Sequence, residues 1–172
     1  MDWLDIAGQA FKALRWISPL VVFGATAYAI YLCVTGFVPV LIRLGNGLKK
    51  RKIAIFAKGD ALQSLEGLFG DSKLFNTKNI IRITGSDDFG RAEDASVFLV
   101  YWPDWQNEMA RILGHKRDQT AMVVYAPQGH GFIPPETMAL LEQHRNVVLA
   151  NLRGRLLNDV VVSLITTGYE KK

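Results

Sequence analysis

The chain has 172 residues, 20 Lys/Arg and 16 Asp/Glu, which leaves room for one compact domain and a short appendage. Cys33 is the single cysteine, so an intrachain disulfide and a cysteine-based metal cluster are both excluded. The net charge of +4 does not indicate nucleic acid: residues 1–52 hold seven Lys/Arg against two Asp/Glu, whereas residues 53–172 hold thirteen against fourteen, so no phosphate-tracking surface is expected.

Residues 1–15 place Trp3, Leu4, Ala7, Ala10, Phe11 and Leu14 at helical spacing, which reads as a short amphipathic segment lying in a membrane interface or extending the element that follows. From Trp16 to Ile42 there are 27 residues without a charged side chain. A bilayer core needs about 20 apolar helical residues, so residues 16–42 are expected to form one transmembrane helix. Pro19 suits its first turn and Pro39 its exit. A cleaved signal peptide carries its basic residues ahead of the apolar run, and here Arg43, Lys49, Lys50, Arg51 and Lys52 come after it. That asymmetry orients the span in an inner (plasma) membrane, with the N-terminus outside and the remainder cytoplasmic. Residues 43–52 form a basic juxtamembrane linker containing Gly45-Asn46-Gly47, with Lys49, Lys50, Arg51 and Lys52 suited to anionic lipid. Gly24, Ala25, Ala27 and Ala29 give the span a small-residue face of the kind through which helices oligomerise.

Residues 53–172 alternate strand-length apolar runs with amphipathic stretches. The strands are 53–57, 79–84, 96–102, 121–126 and 146–150. Between them the spacing predicts a helix over 61–70, a very short one within 87–95, one from about Trp105 to Gly114, and one opened by Pro134-Pro135 and running to about His144. A last amphipathic helix spans 155–167. Strands that are apolar on both faces belong in a parallel sheet covered by helices on both sides. Five of them, linked by right-handed crossovers, give an α/β three-layer doubly wound sandwich with strand order about 2-1-3-4-5, a Rossmann-like, flavodoxin-like arrangement.

Ligands of such folds bind outside the carboxyl ends of the strands. The candidate ligand-binding residues there are Lys58, Gly59 and Asp60 after the first strand, Ser86 after the second, Trp102 and Trp105 after the third, Gly129 and His130 after the fourth, and Arg153 and Arg155 at the start of the last helix. The arginines beside a helix N-terminus suit a phosphate or carboxylate, and surface pairing with Asp159 or Glu170 is the alternative. The tryptophans suit stacking on a base or nicotinamide ring, or equally capping of the sheet. A Walker loop and a dinucleotide glycine fingerprint are both absent. His115, His130 and His144 lack metal-ligand spacing, no serine sits in a nucleophile elbow, and no metal site is expected. The acidic stretch Asp87, Asp88, Glu93 and Asp94 around Arg91 reads as a locally paired loop, with Mg²⁺ as the alternative.

The third strand leads into Trp105-x-x-Glu108. With the short second helix, this element resembles the Toll/interleukin-1 receptor (TIR) domain class and its bacterial relatives over roughly residues 52–170. In that family the helix after the third strand carries Trp-Cys-x-x-Glu, whose glutamate serves NAD⁺ cleavage in the catalytic members. The resemblance implies Glu108 as the catalytic residue and a nucleotide or NAD as the ligand. Gln106 stands in place of the family's cysteine, Pro103 and Asp104 occupy its serine stretch, and Ala57-Lys58-Gly59 replaces its Ser-Tyr exit from the first strand.

Three functions follow. The first is a non-catalytic, membrane-anchored cytoplasmic module for signalling, sensing or interaction, in the manner of bacterial defence or mobile-element exclusion proteins. It would bind a nucleotide-like ligand or a protein partner, or a second copy of itself. The second is an NAD-consuming effector using Glu108. The third is a structural interaction protein whose anchor is the working part.

Overall fold

A computed structural model describes residues 19, 21–39, 45 and 48–168 of the chain. Two compact units are present, Met1–Gly45 and Asn46–Lys172. The amphipathic segment expected over residues 1–15 lies outside the described residues, as do Asn46 and Gly47 of the expected linker.

In the first unit residues 21–32 are α-helical, Cys33–Phe37 form a π-helical turn and residues 38–39 continue the helix. The side chains face outward: Val21 is 62% exposed and Phe23 75%. Thr26 and Thr35 donate their hydroxyls to the carbonyls of Val22 and Tyr31, at 2.8 and 2.7 Å. Among the described residues no helix is long and apolar enough to cross a membrane. The spanning helix expected over 16–42 therefore has no support from the structure: the regular α-helix gives way to the wider turn at Cys33, and positions 16–18, 20 and 40–42 lie outside the described residues.

The second unit is built on five parallel strands, β1 (Ile53–Phe56), β2 (Ile80–Ile83), β3 (Val97–Tyr101), β4 (Ala121–Tyr125) and β5 (Val147–Ala150). Their order is β2-β1-β3-β4-β5, as the apolar runs implied. Ile53 pairs in register with both Ile80 and Val97, Val97 with Ala121, and Met122 with Val147. The helices are α1 (Gly59–Ser72), α2 (Phe89–Ala92), α3 (Trp102–Trp105), α4 (Met109–His115), α5 (Pro135–Glu142) and α6 (Arg153–Gly168). The single helix expected from Trp105 to Gly114 is thus α3, a 3₁₀ turn over Gln106–Glu108 and α4. Pro103 starts the first of these turns, and the backbone of Trp105, at φ −131°, departs from helical values and breaks the run.

Alternate strand residues face opposite ways, and the two faces build two cores. Ile53, Ile55, Val97, Leu99 and Val123 pack with Leu65 and Phe69 of α1 and Leu156, Val160 and Leu164 of α6. Ala54, Phe56, Phe98, Val100 and Val124 pack with Phe89 of α2, Ile112 and Leu113 of α4 and Leu141 of α5. The three inner strands are buried almost throughout, while β2 and β5 at the edges are only partly covered. Burying side chains of this size contributes about 1.5–3 kcal/mol each, so these layers fix the frame on which the strand-end loops are carried.

Candidate functional site

The order β2-β1-β3 places the topological switch point between β1 and β3, the usual mouth of a ligand crevice. Here that mouth is filled. Phe56 ends β1, and its ring lies 5.2 Å from Phe98, 5.7 Å from Phe89 and 6.0 Å from Trp105. Trp105 is itself 5.4 Å from Phe89 and 1% exposed. The Lys58 ammonium lies 4.3 Å from the Trp105 ring centroid, a cation–π contact over the plug. Asp104 closes the mouth from above: its Oδ2 accepts the Lys58 backbone N–H at 2.7 Å. The chain then enters α1 through Gly59, whose φ of +50° suits glycine. No side chain of Lys58 caps that helix, so the remote Asp104 carboxylate serves its positive N-terminal end.

One step along the sheet the strand ends are open. The loop after β4 doubles back on itself, with the His130 N–H donating to the Pro127 carbonyl at 3.1 Å. Gly129 takes φ +88°, and Gly131 approaches the strand end so closely that a Cβ would stand 2.6 Å from the Ala126 carbonyl carbon. Trp102 pins the far side: its Nε1 donates to the Phe132 carbonyl at 3.0 Å. Beyond it Pro134 and Pro135 start α5. The result is a hollow of about 740 Å³ over the ends of β4 and β5. Gln106, Gln128, His130, Phe132 and Asn151 are among the residues that line it. Phe132 is 82% exposed. Among the described residues no Lys, Arg, Asp or Glu lines this hollow.

The candidates named from sequence separate accordingly. Gly129 and His130 line the hollow. Lys58, Gly59 and Trp105 belong to the closed switch point, and Trp102 is a 1% exposed strut behind the loop, so neither tryptophan offers a face for stacking. Asp60 lies exposed in the first turn of α1, and Ser86 begins the 3₁₀ turn Ser86–Asp88 after β2. Arg153 donates Nη2 to the Ser64 carbonyl at 2.9 Å, tying α6 to α1. Arg155 lies 3.8 Å from Asp159, the surface pairing given above as the alternative. Glu108 does not line the hollow; its Oε2 is 3.6 Å from Arg111 Nη1. The Glu108 Oε2 and the Trp105 Nε1 are buried atoms without a hydrogen-bond partner among the described residues.

In the acidic stretch Asp88 pairs with Arg91 at 3.0 Å and Asp94 with Lys52 at 3.7 Å. Glu93 meets His115 Nδ1 at 3.1 Å and Arg117 at 3.6 Å. Among the described residues no three His, Cys, Asp or Glu gather as a metal site would require. Burial pushes the Tyr101 phenol, at the end of β3, above its ordinary range, and the charges of Asp104 and Tyr125 add to the shift.

Gln106 and Phe132 went unremarked as wall residues in the sequence. A Gly-His-Gly turn followed directly by an aromatic and, after Ile133, by two prolines was the available signal for Phe132. Nothing local marks Gln106, which reaches the hollow because α3 ends after one turn. Comparison of the chain with protein-family models, with curated proteins and with solved structures gave no match.

Proposed function

We propose that this protein is a membrane-anchored binding module that takes the heteroaromatic ring of a nucleotide-like ligand in the hollow over β4 and β5. The observation that carries the reading is the wall chemistry. Three carboxamides and an imidazole supply donors and acceptors together, as the edge of a base requires. Phe132 supplies an exposed aromatic face for stacking. A neutral wall favours the uncharged part of a ligand over its phosphates. The reading is non-catalytic, since Glu108 pairs with Arg111 outside these walls.

The anchor is the segment 16–42. The reading rests on the charge-free sequence; the exposed side chains of Val21, Val22, Phe23, Ile30, Leu32 and Val34 and the two threonine hydroxyls satisfied by their own helix are compatible with it. A bilayer asks for internal pairing of this kind. The basic residues after the segment set the second unit on the cytoplasmic side of the inner membrane.

The test is titration of the full-length protein, in detergent micelles or nanodiscs, with adenine and guanine nucleosides and nucleotides. Phe132→Ala should weaken the bound compound about tenfold, as loss of one stacked base predicts. Asn151→Ala should weaken it further, and Arg155→Ala should leave it unchanged. Saturating concentrations of every compound without a change in melting temperature or fluorescence would end this reading.

A further inference from the structure

In a parallel sheet the segments that lead into the strands all lie at one end of the domain, and those that leave them lie at the other. The leading segments here are 48–52, 73–79, 93–96, 116–120 and 143–146. They are stitched into one surface. Asn79 Nδ2 donates to the Lys49 carbonyl at 2.8 Å, and Asn146 Nδ2 to the Asp118 carbonyl at 2.9 Å. The Ser96 N–H donates to the Lys52 carbonyl at 2.8 Å. These segments hold nine Lys/Arg and three Asp/Glu. The segments leaving the strands, 57–58, 84–88, 102–108, 126–134 and 151–152, hold Lys58 alone against Asp87, Asp88, Asp104 and Glu108. The unit Asn46–Lys172, with 17 Lys/Arg against 14 Asp/Glu in total, therefore has one basic end and one acidic end.

The basic end is also rigid. Leu48 is 8% exposed within the core, so Lys49–Lys52 are fixed to the domain and do not form a loose tether. Two of the three acids at this end are engaged, Glu93 by His115 and Arg117 and Asp94 by Lys52. Lys49, Lys50, Lys73 and Lys78 are exposed and make no ion pair with the described residues. Leu48, the first described residue of this unit, lies at this same end.

We infer that the strand-leading end of the domain is a docking face for an anionic lipid surface, in which Lys73, Lys78, Arg117 and Arg145 extend the contact made by Lys49–Lys52. This rests on the anchor proposed above for its proximity to lipid, and on the charge segregation for its chemistry. Its consequence is that the hollow over β4 and β5, at the opposite end, faces away from the lipid and stays open to soluble ligands.

The experiment uses the full-length chain in vesicles of phosphatidylcholine alone and of phosphatidylcholine with about one third phosphatidylglycerol. Amine labelling followed by mass spectrometry reads the rate at each lysine, with Lys58 at the acidic end as reference. Lys73 and Lys78 should label about fivefold more slowly on the anionic vesicles, and molar salt should abolish the difference while Lys58 is unchanged. Equal rates on the two lipids overturn the inference, as does equal slowing of Lys58. Protection of Lys73 and Lys78 by a duplex oligonucleotide on neutral vesicles, without protection by anionic lipid, also overturns it and assigns the face to nucleic acid. Alkaline carbonate extraction of the same vesicles reports on the anchor separately. A chain that is extracted yet protected on anionic lipid upholds the face and refutes the anchor; a chain that is retained with equal rates does the reverse.

Discussion

Gly129 and Gly131 sit two residues apart in one turn, yet a methyl group meets a different obstacle at each. At 129 there is open space and a φ of +88°, so alanine brings only backbone strain of about 1–2 kcal/mol. At 131 the new Cβ would stand 2.6 Å from main-chain carbon, which cannot rotate away. Gly131→Ala should therefore lower the melting temperature more than Gly129→Ala, and should reduce ligand binding where Gly129→Ala spares most of it. Asp104→Ala frees the Lys58 N–H and leaves α1 uncapped, and thermal unfolding should register a loss of about 1 kcal/mol. Glu93 supplies the pH dependence. Its carboxyl is held below the ordinary value of 4.5, chiefly by the hydrogen bond with His115, against an opposing desolvation effect and with help from the His115 and Arg117 charges. A carboxyl with a depressed folded value contributes stability above its unfolded value and loses it as pH falls through the folded one. Wild type should thus lose stability below about pH 4.5, and Glu93→Gln should show a flatter acid limb in denaturant titrations.

At the level of elements, core positions govern the response to substitution. Phe69 of α1 is fully buried and meets Phe75 edge-on at 5.4 Å, so Phe69→Ala should cost about 3–5 kcal/mol in urea unfolding and loosen the helix that carries Gly59 and Asp60. The strands and their order were legible because each central strand is a continuous apolar run, Ile53–Phe56 and Ala121–Tyr125 above all, and burial on both faces leaves no other arrangement. The segment after β3 was not legible, because Trp102 and Trp105 look alike as exposed rim aromatics or as core. What decides between them is three-dimensional: Phe56, Phe89 and Phe98 arrive from three other elements to enclose Trp105. For the same reason the site could be placed at the strand ends but not at a particular pair of strands. Closure of the switch point depends on a contact between residues 46 positions apart, Asp104 and Lys58.

At the scale of the whole chain, the proposed function depends on where the apolar helix resides. Cys33 reports on that directly. It is the chain's single cysteine, it lies within the proposed anchor, and its side chain is exposed among the described residues. Treatment of intact membranes carrying the full-length protein with a membrane-impermeant maleimide, before and after denaturation in detergent, gives the answer. The account predicts no labelling of Cys33 in intact membranes and complete labelling after denaturation. Complete labelling in the intact membranes would contradict it.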